Sequence, residues 1–531
     1  MKNITMRLFK LNNSDGCISI VAATGITFLW FCLAWRYGFD LSDEGYYWYG
    51  AQRVLRGEVP LRDFLSYDIG RYYWAATLMY FMGEDGILGA RVSAAFIQAL
   101  GTFLGVYLCL STLRQSAVIR WLFAAFCACV LTVWVWPYYK SYDHAMSIVV
   151  VAFLVLMLKV PARTAWLVAG LCLGVVAMVG RNHGAYGALA ATLIVLLLLI
   201  QTSSRRLIIE LSGFFLMGVL IGFSPTLYMM LSVEGFAGAF VESIVMQVKS
   251  GTTNITLPVP WPWSWSWSAY LKNNGNLLTG ARLLFSAGFV FLLAFPLIGL
   301  LTLGYFRFNL SDDRRKILAA TIAVAIPYAH YALSRADPVH LSAGVFPALI
   351  GVIVACGSLN RLRMLLACIV LLSTSFLAMS NSQPYLAAHV LQVRVLSTEV
   401  DGRMLWIYPG WQKRLHWAKS ALTSHEHSTC NFLALPDMTS LYAIYRTKMP
   451  IWETYALSSK DTDFQTREIE LLESCVPQLV LLSDHALDGN PNFRYSYMYP
   501  LIYKWIGSKY QVSSNELDAL DPDLRVYVLK K

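Results

Sequence analysis

Charge is scarce in this sequence. Only 14% of its 531 residues are Asp, Glu, Lys or Arg, against 57% hydrophobic. A chain so poor in charge carries more apolar surface than one globular core can bury, which excludes an ordinary soluble domain and indicates a polytopic membrane protein. The excess of Lys and Arg, a net charge of +10, forms no basic stripe. It is scattered over short loops, so nucleic acid is not an expected partner. A glycine-rich phosphate loop, a GxSxG elbow and a Ser-His-Asp order are all missing, and no His/Cys/Asp spacing amounts to a metal signature. No metal site and no cofactor are therefore expected, with a divalent cation alone left open. No cleavable signal or transit peptide is evident. The run Ile18 to Trp35 is long, aromatic at its end and without a small-residue cleavage site, so it is expected to stay in place as a signal anchor. Eight of the ten cysteines lie in or beside apolar segments and read as small core residues. Cys430 and Cys475 fall in the polar C-terminal part. In an oxidising compartment they can form a disulfide; the alternative is a free buried pair.

What is present is a series of apolar runs, at about 18–35, 88–110, 121–136, 146–158, 164–179, 184–200, 207–231, 277–305, 317–333, 341–357 and 363–380. These amount to about eleven transmembrane helices. With the N-terminus inside, the inner loops carry Lys2, Arg7, Lys10, Arg114, Arg120, Lys159, Arg163, Arg205, Arg206, Arg307, Arg314, Arg315, Lys316, Arg361 and Arg363. The opposite short loops hold one cation each, Lys140, Arg181 and Arg335, as the positive-inside rule requires. An odd number of spans places the C-terminal part outside. The expected organisation is a transmembrane module over 1–380, with outer loops at 36–86 and 233–275, followed by a small α/β extracytoplasmic domain over 381–531. In that domain CNFLALP, PQLVLLS and RVYVLK read as strands, and TSLYAIYR, TREIELLESC and YPLIYKWIG as amphipathic helices.

The first outer loop opens with LSDEGYYWY. Asp43 and Glu44 directly follow the first span, where desolvation makes a carboxylate expensive, and Tyr46 to Tyr49 suit the headgroup level. Two surface helices are expected, from Glu44 to Arg56 and from Tyr72 to Met82, separated by Gly57, Pro60 and Gly70. Asp43 also reads as a helix cap, with Ser42 as the alternative. In the second long loop, TLPVPWPWSWSWSAY cannot be an interior helix. It reads either as a membrane anchor or as a flap over a lipid tail.

A group transfer on an outer face needs a donor that is already activated and already in the lipid. A polyprenyl-phosphate sugar meets that need. The reaction then requires a carboxylate to accept a proton from the acceptor hydroxyl and cations to hold the departing phosphate. Asp43 is the expected base and Asp143, in KSYDH, the second acid. Arg71, Arg181 and Arg335 are the candidates for the phosphate, since a guanidinium binds it bidentately. Tyr46, Asp68, Lys140, His144 and His340 are the remaining candidates for substrate contact. Two arginines have plainer readings: Arg335 can pair with Asp337, and Arg181 can snorkel from its span end.

A signal anchor followed by an outer Asp-Glu, surface helices, a second outer Asp and a C-terminal α/β domain resembles the GT-C glycosyltransferases, within them the protein-mannosyltransferase and aminoarabinose-transferase group. The resemblance implies a polyprenyl-phosphate-sugar donor, a cell-envelope acceptor, Asp43 as general base with Glu44 beside it, and Asp143 as the second-loop acid. It further implies a multi-pass protein of the bacterial inner membrane with its C-terminal domain in the periplasm. The Lys-Pro-Pro of the aminoarabinose branch is here YDIGR, Tyr67 to Arg71, and neither WWDYG nor a β-trefoil insertion is present, which favours a bacterial-type monosaccharide transferase. A transporter or flippase of lipid-linked sugars is the alternative, for which midplane charges and paired broken helices would be expected.

Overall fold

The structure, a computed structural model, describes residues 13–201, 204–249, 254–305, 310, 312–423, 432–513 and 523–530. It falls into two compact units: Met1–Trp35 with Arg91–Val393, and Arg36–Ala90 with Arg394–Lys531. The first long loop thus belongs to the same unit as the C-terminal segment. In chain order the helices to Met379 are α1 (Asn13–Ala34), α2 (Asp43–Leu55), α3 (Ile69–Met82), α4 (Ile87–Leu110), α5 (Ala117–Val133), α6 (Ser141–Lys159), α7 (Arg163–Val179), α8 (Arg181–Gln201), α9 (Arg205–Ser232), α10 (Phe236–Lys249), α11 (Trp267–Tyr305), α12 (Asp313–Ser334), α13 (Pro338–Cys356) and α14 (Arg361–Met379).

The first unit is the membrane module of a polytopic α-helical membrane protein. Among the described residues nine helices are long and apolar enough to cross a bilayer, and α5 and α7 are shorter apolar helices. The helices α6, α12 and α13 are largely buried and form its centre, whereas α1, α8, α9 and α14 leave most of their surface for lipid. One crossing is governed by glycine. Gly170 and Gly174 of α7 face Gly218 and Gly222 of α9, and a Cβ on any of them would run into the backbone of the other helix. With hydrocarbon on all sides, this small-xxx-small contact draws its stability from close van der Waals packing rather than from water exclusion. The helix α11 breaks at Gly275 (φ 75°, ψ 175°), a left-handed backbone that glycine alone adopts without strain.

The second unit is built around α2. Its four successive aromatics, expected at the headgroup level, are instead core: Tyr46, Tyr47, Trp48 and Tyr49 are 5%, 2%, 0% and 2% exposed. Four consecutive residues point in all directions around a helix, so a helix buried this way must be enclosed on every side. The polar ends of the rings find carbonyl and amide partners. Trp48 Nε1 donates to the Asp85 carbonyl at 2.7 Å, and the Met449 amide donates to the Tyr49 hydroxyl at 3.0 Å. The exposed aromatics of this loop are on α3, at Tyr73, Trp74, Tyr80 and Phe81.

Beyond residue 393 come β1 (Leu396–Val400), β2 (Arg403–Ile407), α15 (Pro409–Thr423), β3 (Phe432–Leu435), α16 (Thr439–Tyr445), α17 (Thr462–Ser474), β4 (Leu479–Ser483), α18 (Pro500–Lys509), β5 (Tyr510–Val512) and β6 (Leu524–Leu529). The main sheet has the order β3-β4-β6-β5; β3 and β4 are parallel, and β6 is antiparallel to both its neighbours. All three expected strands and all three expected helices are present. The β1–β2 hairpin is an addition, and its turn, Asp401 (φ 51°) and Gly402 (φ 68°), is the two-residue left-handed pair that matches strand twist. Cys475 is disulfide-bonded; Cys430 lies outside the described residues.

Candidate active site

Asp43 is the first residue of α2, half-buried, and its Oδ1 accepts a hydrogen bond from the Tyr455 hydroxyl at 2.8 Å. The capping role expected of Ser42 or Asp43 is taken by Asp40, whose Oδ1 accepts from the Ser42 and Glu44 amides at 2.9 and 3.3 Å. Ser42 donates its hydroxyl to Asp437 Oδ2 at 2.9 Å instead. Burial, reinforced by the charges of Asp43 and Glu44, raises the Asp40 carboxyl well above its ordinary range. Burial likewise raises Asp437.

The first turn of α16 clasps this helix start. The Ser440 amide donates to the Leu41 carbonyl at 2.9 Å, and its hydroxyl donates to the Asp40 carbonyl at 2.9 Å. Gly45 is the residue that permits the approach, because a Cβ there would overlap the Ser440 backbone. From Asp43 a continuous run of rings leads onward. Tyr455 stacks on Tyr46 (centroids 5.2 Å, 27°), Tyr46 meets Tyr67 edge-on (4.6 Å, 81°), and the Arg71 guanidinium lies 4.7 Å from the Tyr67 ring centre. Asp43, Tyr46 and Arg71, all named from the sequence, are therefore linked within one unit. Glu44 is buried beside them, and Asp68 is the half-buried residue before α3.

In the membrane unit the second acid is more tightly held. Asp143, 2% exposed in the first turn of α6, lies 2.7 Å through Oδ1 from His183 Nε2. Its Oδ2 is 3.4 Å from the Tyr331 hydroxyl and 3.7 Å from Lys140 Nζ. The other imidazole nitrogen, His183 Nδ1, is 2.8 Å from the Tyr328 hydroxyl, and the two rings stack. His144 faces a different neighbour, with Nε2 3.2 Å from Ser342 Oγ. Tyr331 connects this group to a second one, its ring centroid being 5.4 Å from that of His340. His340 Nε2 accepts from Asn254 Nδ2 at 2.7 Å, and Nδ1 donates to Asp337 Oδ1 at 2.8 Å. Arg335 pairs with Asp337 at 2.8 Å, the plainer of its two readings. Burial opposes ionisation of Asp337, but the hydrogen bonds from His340 and the charge of Arg335 outweigh it and hold the carboxyl below its usual range.

Arg181 donates to Ser243 Oγ at 2.7 Å and lies 4.9 Å from the Phe240 ring centre, two contacts on α10. Sequence reading missed Arg282. The Trp-rich segment 257–265 walls a cavity of about 600 Å³ with Arg282, Phe285, Asp337 and Pro338. The Arg282 guanidinium stacks 4.2 Å from the Trp265 ring centre, and its buried Nε has no hydrogen-bond partner among the described residues. Its position inside an apolar helix was the signal available. Among the described residues no group of three or more His, Cys, Asp or Glu side chains is placed to hold a metal ion.

No family model and no curated protein matches the sequence. Solved structures do match. ArnT from Cupriavidus metallidurans in its apo state is 14% identical, with a TM-score of 0.54 over 96% of each chain. The Archaeoglobus fulgidus oligosaccharyltransferase tethered to an acceptor peptide containing the NVT sequon is 11% identical, with a TM-score of 0.51 over 98% of this chain and 74% of that one. Both are GT-C glycosyltransferases, and the fold of this chain is theirs, as the outer Asp-Glu and the C-terminal α/β segment led us to expect.

Proposed function

We propose that this chain is a membrane glycosyltransferase, moving one sugar from a polyprenyl-phosphate donor to a hydroxyl of a cell-envelope acceptor on the periplasmic side of the bacterial inner membrane. The observation that carries the reading is Asp43, a carboxylate held in place by a phenol at the start of a buried helix, in a fold shared with two glycosyltransferases. The acceptor oxygen bonds to the anomeric carbon as the bond from that carbon to the phosphate oxygen breaks. Asp43 takes the hydroxyl proton, and the bonding pair leaves with the polyprenyl phosphate. Arg71 is the phosphate-binding cation of the same unit. Asp143, fixed by His183, is the second acid. In the membrane unit Arg335 and the Trp-walled cavity with Arg282 suit an anionic head on an apolar tail.

The test compares envelope glycans, glycolipids and glycoproteins by mass spectrometry in a deletion strain complemented with the natural chain or with Asp43→Asn. The expected result is one monosaccharide increment lost on deletion, restored by the natural chain and not by Asp43→Asn. Full restoration by Asp43→Asn would remove Asp43 from the role of base, and no mass difference on deletion would remove the reaction.

A further inference from the structure

The helix α3 has two unlike faces. Tyr72, Ala75, Ala76 and Met79 are buried, and Tyr72 closes on α2: its ring lies 6.3 Å from that of Tyr47, and a Cβ on Gly50 would run into it. The other face presents Tyr73, Trp74, Thr77, Tyr80 and Phe81. Tyr80 and Phe81 are 74% and 78% exposed, and their rings meet edge-on at 5.7 Å. Positions 73, 77, 80 and 81 fall on one stripe of a helix, so the exposed rings form a strip along its length. No charge interrupts it, because Arg71, the one cation of α3, lies on the buried side and the helix has no acidic residue. An aromatic strip of this kind marks a surface that meets something other than water.

What it meets is set by the chain that follows. Gly83, in left-handed backbone at φ 62°, ends α3, and α4 begins at Ile87. The helix α4 is one of those long and apolar enough to cross a bilayer. At the join the two are pressed together: a Cβ on Gly89, in the first turn of α4, would overlap the Glu84 carbonyl and press on Met79. Both turns belong to the same unit, so they are held as one piece. Tyr80 and Phe81 therefore sit where α4 enters the bilayer. Tyrosine, tryptophan and phenylalanine without charge suit the boundary between headgroups and acyl chains. The helix has 14 residues, roughly 21 Å at 1.5 Å per residue, and is too short to cross.

We propose that the outer face of α3 is a membrane-contact surface, seated in the headgroup–acyl boundary with phospholipid as its partner. The strip runs the length of the helix, so α3 lies in the plane of the boundary. Its inner face packs on α2, and the helix that Asp43 begins thus rests on lipid through a single intervening helix. Arg71, on the enclosed side of the first turn, is thereby kept near the depth of the lipid phosphates. That last consequence rests on the transfer proposed above; the surface itself does not.

The experiment uses the full chain in proteoliposomes of phosphatidylethanolamine and phosphatidylglycerol, with photoreactive p-benzoylphenylalanine in place of Phe81 and, separately, of Thr77. The same residue in place of Phe28, exposed on the spanning helix α1, is the positive control. After illumination and proteolysis, mass spectrometry should find phospholipid adducts at positions 77 and 81 as at position 28. Tyr80→Glu with Phe81→Glu should cut the adduct at position 77 about tenfold, because carboxylates are not admitted to the boundary, whereas Tyr80→Leu with Phe81→Leu should leave it within about twofold. Position 28 reacting with lipid while positions 77 and 81 do not overturns the proposal. So does a cross-link from either position to a second copy of the chain, which would assign the face to a dimer. Transfer is not the readout: lipid adducts in a chain whose Asp43→Asn variant still transfers would uphold the surface and remove only the role of Asp43.

Discussion

His183→Phe offers a quantitative test of the arrangement around Asp143. The replacement keeps a ring stacked on Tyr328, at a centroid distance of 5.7 Å in the natural chain, and removes both nitrogens. Asp143 Oδ1 and the Tyr328 hydroxyl, 2.7 and 2.8 Å from those nitrogens, lose their partner together. His183 and Tyr328 are fully buried and Asp143 is 2% exposed, so water does not replace the lost contacts. A buried polar group deprived of its partner costs about 1–3 kcal/mol, which puts the pair at roughly 2–6 kcal/mol. Lys140 and Tyr331 remain near the carboxylate and reduce its share, so about 3 kcal/mol is expected. Tyr328→Phe alone leaves His183 Nδ1 unpaired and should cost about 1–2 kcal/mol. In the His183→Phe background the same change removes an already orphaned hydroxyl and should cost nothing. Equilibrium unfolding of the four proteins in mild detergent gives the coupling, expected at about 1–2 kcal/mol. Costs that add to within about 0.5 kcal/mol would refute the network.

Other perturbations test separate features. Burial raises Glu453 and Glu468 from an ordinary 4.5 to about 7. A carboxyl raised in the fold contributes stability that is fully present below pH 4.5 and lost as pH rises through 7. Glu453→Gln, which resembles the protonated form, should therefore melt roughly a few degrees higher than the natural chain at pH 8 and show no gain at pH 4.5. Gly218→Leu should separate α7 from α9 and destabilise the chain by about 1–3 kcal/mol, whereas Gly213→Ala on the same helix, with open space around it, should be neutral or slightly stabilising in the same unfolding assay. Arg282→Leu should weaken binding of undecaprenyl phosphate about tenfold or more in native mass spectrometry, with the melting temperature unchanged. Equal binding by both proteins would show that the cavity does not take the anionic head.

Legibility differed by residue. The apolar runs and Asp43 stood out because a carboxylate directly after a span is costly, and cost restricts the reasons for its presence. The β1–β2 hairpin was legible in principle from Asp401-Gly402 between alternating segments, yet the flanking strands are short and carry charge. The aromatics of α2 were misplaced because composition cannot distinguish a ring wet at one edge from a ring enclosed by its own unit. The enclosure is revealed by their partners, Phe64 and Tyr72 from the same loop and Tyr442 and Tyr455 from the far end of the chain. Tyr455 was invisible as a site residue for the same reason. It is ordinary in its local context and is defined by a carboxylate 412 positions away.

Those long separations govern how the unit comes into being. Ser42, Asp40 and Asp43 find Asp437, Ser440 and Tyr455 across 395, 400 and 412 residues. Contacts that close such distances form late, since the entropy of closure is lost before any contact compensates it. During translation the opening loop emerges while its clasp is still unsynthesised, so a ribosome stalled before β3 carries a first loop that has neither its phenol nor its cap-side lock. Assembly of the acid's surroundings is thereby reserved for chains that have been made nearly to the end.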